Sequence, residues 1–161
     1  MPTNNTDFYL GNPNLKKVGT DINFTQEQIQ EYLKCKEDPV YFAMNYIKII
    51  SLDEGIVPFK MWDFQQELIE KFHKHRFNIA KLPRQTGKST TCVSYLLHYV
   101  LFNDNVNVGI LANKLSTARD LLGRLQLAYE QLPMWMQQGI ITYNKGSMEL
   151  ENGSKILAAS T

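Results

Sequence analysis

Phe77-Asn78-Ile79-Ala80-Lys81-Leu82-Pro83-Arg84-Gln85-Thr86-Gly87-Lys88-Ser89-Thr90 is the stretch on which the reading of the chain turns. Residues 77–82 alternate and carry apolar groups, as a strand would. Pro83 then removes a backbone donor and holds Leu82 extended, which ends such a strand. From Lys88 to Phe102 the spacing predicts a helix. Cys92, Val93, Tyr95, Leu96, Leu97, Tyr99, Val100 and Leu101 lie nearly all round it, so the helix should be buried. Strand, loop and helix with Gly87-Lys88-Ser89 at the junction is the setting of a phosphate-binding loop. There, backbone N–H groups cradle phosphate oxygens, the lysine reaches the β- and γ-phosphates, and the hydroxyl ligates Mg²⁺. The positive end of the following helix points at the same anion. The expected ligand is a nucleoside triphosphate, held by Gln85, Thr86, Gly87, Lys88, Ser89 and Thr90, with Ser89 on the metal.

The loop departs from the usual pattern in one place. Five residues before Gly87, where a glycine is expected, stands Leu82, and Pro83-Arg84-Gln85-Thr86 is not glycine-rich. A side chain such as Arg84 can therefore lie beside the phosphates and stabilise charge on the transferred phosphoryl group, as an arginine finger does. The alternative for Arg84 is an ordinary pairing with a carboxylate.

Working outward, residues 1–23 are polar, asparagine-rich and without periodicity, and read as a flexible arm. Thr25-Gln26-Glu27-Gln28 is a capping box that starts a helix to about Lys36. Asp38-Pro39 starts a second, to about Ile50. An extended stretch over 56–59 precedes a third helix capped by Asp63, with Gln65 in its first turn. After the turn Asn103-Asp104-Asn105, residues 106–112 read as a strand buried on both faces of a parallel sheet. Leu115, Ala118, Leu121, Leu122, Leu125, Ala128, Tyr129 and Leu132 then follow at helical spacing until Pro133. Extended segments around Met148 and Ile156 flank Asn152-Gly153, a hairpin turn signal. The expected architecture is α/β: a parallel sheet with flanking helices and right-handed crossovers, preceded by a helical region.

Composition sets bounds. The chain has 161 residues, enough for one domain, and is 43% hydrophobic and 20% charged, as ordinary globular proteins are. A net charge of +1 supplies no global field for nucleic acid, so any DNA contact needs a local patch. Lys71, Lys74 and Arg76 are the candidates, with a plain solvated helix face as the alternative. Cys35 and Cys92 fall on separate predicted helices without paired spacing, which points away from a disulfide or zinc site and suits a reducing cytosol. His73 and His75 are two apart and diverge on a helix, so with His98 they do not form a ligand set. No apolar run reaches the roughly 20 residues of a membrane span.

Arg-Gln-x-Gly-Lys-Ser/Thr without a leading glycine, at 84–89, resembles the phosphate loop of the large terminase subunits of tailed bacteriophages, the T4-like ones especially. Asp38-Pro39-Val40-Tyr41-Phe42-Ala43, Met61-Trp62-Asp63-Phe64-Gln65 and Val108-Gly109-Ile110-Leu111-Ala112-Asn113-Lys114 are similar to other segments of that family. So is Tyr143-Asn144-Lys145-Gly146-Ser147 with Glu149-Leu150 and Asn152-Gly153-Ser154. These segments run in family order from about Asn12 to the end of the chain.

The resemblance implies the N-terminal part of a P-loop (RecA- and helicase-like) ATPase domain over 24–161, from a motor that pulls double-stranded DNA through the portal into a procapsid. Gln65 would read the adenine, since an amide offers a donor and an acceptor to the purine N6/N7 edge; Gln66 adjoins it and competes for the role. Arg84 would act in cis on the transition state, Lys88 on the phosphates and Ser89 on Mg²⁺. Implied partners are double-stranded DNA, the portal protein, the small terminase subunit and the protein's own C-terminal remainder. The complete ATPase would work as an oligomeric ring, in the cytoplasm of the infected host. The family's Asp-Glu strand and its endonuclease domain are expected beyond Thr161, for which a split gene or an intein are among the origins. A helicase-like or restriction-type translocase, or a nucleotide-binding piece without activity of its own, are the competing readings.

Overall fold

The computed structural model describes residues 7–51 and 53–161. Its element order is α1 (Gln26–Glu37), α2 (Pro39–Tyr46), β1 (Lys48–Ser51), β2 (Gly55–Pro58), α3 (Asp63–Lys74), α4 (Lys88–Phe102), β3 (Asn107–Ala112), α5 (Leu115–Glu130), β4 (Ile140–Tyr143), β5 (Ser147–Leu150) and β6 (Lys155–Ser160). The protein is α/β. None of the described helices is long and apolar enough to cross a membrane.

Helix starts follow local chemistry. The Thr25 hydroxyl accepts the Gln28 N–H while Gln28 Oε1 accepts the Thr25 N–H, which closes the capping box of α1. Asp38 Oδ1 accepts the N–H groups of Val40 and Tyr41 at 2.9 Å each, with Pro39 at the first helical position of α2. That helix ends at Tyr46 rather than running to Ile50. Residues 48–51 instead pair with 55–58 in an antiparallel hairpin, a tertiary demand that overrides the helical reading.

The main sheet is mixed, in the order β3-β6-β5-β4. Only β3 and β6 are parallel; the β4–β5 and β5–β6 pairs are antiparallel, so the expected all-parallel sheet is corrected. Helix α5 packs on β3 and β6, and α4 packs on α5. The cover is one-sided: Val108 and Ile110 of β3 turn toward the helices while Asn107, Gly109 and Leu111 are exposed, Leu111 by 64%. Two-sided burial of 106–112 is therefore not what the fold uses. The core gathers Phe42, Ile47 and Ile69, Leu97 and Leu101 of α4, Leu122, Leu125 and Tyr129 of α5, and Met148 and Ile156.

Two further expectations are revised. Residues 77–82 do not form a strand; Phe77 is 84% and Ile79 100% exposed. A strand exists only through its neighbours, and a groove of about 640 Å³ separates this segment from β3. Phe72, Arg76, Asn78, Tyr95, Asn107 and Val108 are among its lining residues. The supposed arm is also not free over 7–20. Leu15 is buried, the Ile140 N–H donates to the Lys16 carbonyl, and Lys16 pairs with Glu151 at 3.3 Å. Residues 1–6 lie outside the described part of the chain.

Candidate functional site

The loop over 83–87 joins the irregular segment to α4, and two left-handed residues shape it. Gln85 has φ +61° and Gly87 φ +71°. A side chain at Gly87 would be strained by that φ and would bring a Cβ within 2.6 Å of Gln65 Nε2. Gly87 is the N-cap of α4, and no side chain caps that end; nor does an acidic residue stand in the first turn. The helix therefore begins with uncompensated N–H groups and the positive end of its dipole. The Thr86 hydroxyl donates to the Pro83 carbonyl at 3.0 Å, and the Thr91 hydroxyl to the Gly87 carbonyl at 3.1 Å, which pins the turn from both sides.

The charged side chains here are solvated. Lys81, Arg84 and Lys88 are all exposed and pair with no carboxylate among the described residues. Lys88 Nζ donates to the Leu82 carbonyl at 3.4 Å, folding back across the loop. Lys88 and Ser89 line a mostly apolar cavity with Ala80, Cys92, Val93 and Ile110. Thr90 lines a separate cavity with Ile49 and Asp120. Burial pushes the Cys92 thiol up, with Lys88 partly offsetting it, so this cysteine is no ready nucleophile.

Gln65 is tied to the chain at both ends of its amide. It is only 4% exposed. Its Oε1 accepts the Trp62 N–H at 3.0 Å, and its Nε2 donates to the Thr86 carbonyl at 3.2 Å. Trp62, rather than Asp63, is the N-cap of α3, and Gln65 caps it in return. Gln66 Nε2 reaches the Met61 carbonyl at 3.4 Å. The structure thus brings Gln65, Thr86 and Gly87 together, with Lys88 and Ser89 following at the start of α4, and leaves Arg84 in solvent. The Gln65–Thr86 contact was invisible in the sequence, since 21 residues separate the partners.

The basic cluster near the end of α3 resolves into helix-face pairs. Lys71 meets Glu67 at 2.6 Å and Lys74 meets Glu70 at 3.9 Å, both exposed and four residues apart. Such solvent-screened pairs contribute little. Among the described residues no cluster of histidine, cysteine or acidic side chains is arranged to hold a metal ion. No known protein-family model matches the chain.

Proposed function

We propose that this chain binds ATP with Mg²⁺ at residues 83–90, as the ATP-binding part of a P-loop ATPase of the large terminase type that drives double-stranded DNA into a viral procapsid. The observation that carries the reading is the end of α4. An uncapped helix N-terminus, a left-handed Gly87, and Lys88 and Ser89 beside it are what a triphosphate needs: free amides, a dipole, a cation and a hydroxyl. The missing leading glycine is no obstacle, because Leu82, which stands in its place, does not take a positive φ.

In this reading Lys88 leaves the Leu82 carbonyl for the β- and γ-phosphates, and Ser89, through its hydroxyl, is the residue that would hold Mg²⁺. The metal would neutralise phosphate charge when bound. Exposed Arg84 is free to reach a phosphoryl group from the loop itself. Duplex DNA, the portal, the small terminase subunit and ring assembly belong to the same proposal and rest on the ordered resemblance of segments.

Thermal melting with ATP–Mg²⁺ tests the site. Ligand at about 100 times its Kd adds roughly 2.7 kcal/mol and should raise Tm by several degrees. Lys88→Ala should abolish the rise. An equal rise in that variant would sink the phosphate-loop assignment.

A further inference from the structure

We infer that Gln65 is a positioning residue that fastens the phosphate loop to α3. This rests on the proposed nucleotide site only for the identity of the ligand. One amide group bridges two elements: Oε1 holds the Trp62 N–H at the start of α3, and Nε2 holds the Thr86 carbonyl inside the loop. The backbone completes the first link, since the Gln65 N–H donates to the Trp62 carbonyl at 2.9 Å. The loop is built around the amide. Gly87, next to the bonded carbonyl, is the residue whose Cβ would strike Gln65 Nε2 at 2.6 Å.

Reading a purine edge takes a donor and an acceptor together, presented in one plane. Gln65 gives one of its two donors and one of its two acceptor positions to the chain and is buried, so both elements fix the amide in place. Its work is to hold the Thr86–Gly87 peptide so that the following amides face the phosphates. Loss of the bridge is therefore felt by any triphosphate, whatever its base.

Two variants separate the roles. Gln65→Glu keeps an acceptor for the Trp62 N–H but loses the donor to Thr86, while Gln65→Met keeps the length and loses both bonds. Affinity is measured for ATP, GTP and inorganic tripolyphosphate, each with Mg²⁺. Amide hydrogen exchange is followed at residues 86–89 of the ligand-free protein. The expected result is a similar loss for all three ligands, about tenfold for one hydrogen bond. Loop exchange should quicken in both variants, with α3 left protected in Gln65→Glu. A loss confined to ATP, or unchanged loop exchange, overturns the inference. A wild-type chain that binds none of the three ligands defeats the nucleotide reading, and the exchange data still decide whether Gln65 anchors the loop. The wild type alone also reports. A slowly exchanging Gln65 Nε2 proton supports the bridge, and exchange of both protons at the solvent rate overturns it, whether or not the variants fold.

Discussion

His98 shows how one side chain links packing to pH. It lies on α4, 2% exposed, and its ring faces Phe42, His73, Tyr95 and Phe102. Its Nε2 lies 2.8 Å from the Cys35 carbonyl, which can only accept, so the proton sits on Nε2 and Nδ1 is bare. Nδ1 meets no donor among the described residues. Desolvation lowers the imidazole to about 4, against a contribution from the Cys35 carbonyl and with His73 adding to the fall. The folded form thus stays neutral between 6.5 and about 4, while the unfolded chain takes up a proton. Stability tied to His98 is full above 6.5 and lost progressively down to about 4, by roughly 3 kcal/mol at most. Denaturant titrations across that window should show this excess loss in wild type and not in His98→Phe; parallel curves would remove the assignment. The His73–His98 approach of 6.1 Å also marks a limit of sequence reading. Spacing places neighbours along one helix and says nothing of two helices meeting, and His75 lies just past the end of α3.

At the scale of elements, local signals were legible where they act locally. The capping box of α1, the Asp38-Pro39 start of α2 and the full span of α4 are all read from side chains within one turn or one stripe. Composition alone misjudged residues 7–20, because what holds them lies more than a hundred residues away. Gln137 is buried with Oε1 accepting the Lys16 N–H and Nε2 donating to the Asn14, Leu132 and Tyr129 carbonyls. Glu151 Oε1 accepts from the Gly139 N–H at 2.7 Å and Lys16 Nζ at 3.3 Å, and Oε2 from the Gly19 N–H at 3.2 Å. Burial would push this carboxyl up, yet the Gly139 and Gly19 amides and Lys16 outweigh it and hold it below the usual range. Its contribution is present above about 4.5 and is lost as pH falls through the lowered value. Glu151→Ala should cost about 2 kcal/mol, the worth of hydrogen bonds to a charged acceptor. It should also free 7–20 locally, so trypsin should cut after Lys16 or Lys17 on the order of tenfold faster at neutral pH. An unchanged cleavage rate would mean that Gln137 and Leu15 hold the stretch without it.

For the whole molecule, the α/β class, strand β3 and the hairpin at Asn152-Gly153 were legible, and β4 and the mixed character of the sheet were not. Strand β4, at Ile140–Tyr143, is too short to stand out, and β5 and β6 return as a hairpin that makes the sheet mixed. The order β3-β6-β5-β4 leaves 77–82 outside the ladder, so the loop at 83–87 hangs between α3 and α4 rather than from a strand. That arrangement bears on chemistry. Binding needs amides, a cation and a hydroxyl, which the start of α4 supplies; turnover also needs a base to direct water at the phosphate. The cavity shared by Lys88 and Ser89 has no carboxylate in its lining. Asp104 follows the far end of α4, a 15-residue helix and so roughly 22 Å from the loop. Glu149 is held by Lys155 at 2.8 Å on the β5–β6 hairpin. Asp120 shares a cavity with Thr90, but it lies outside the cavity of Lys88 and Ser89 and is paired with Arg124 at 3.0 Å. With these three carboxylates so placed, the 161-residue chain should bind ATP–Mg²⁺ and hydrolyse it at a rate near background. Arg84→Ala should then leave affinity within a few-fold, because an exposed arginine without a partner stabilises charge that develops only during transfer; such groups contribute on the order of 10³–10⁵ to kcat where a base is present. Phosphate release measured on the purified chain decides the point. Sustained turnover abolished by Lys88→Ala would show that a carboxylate elsewhere in these residues reaches the loop by a movement this fold does not display.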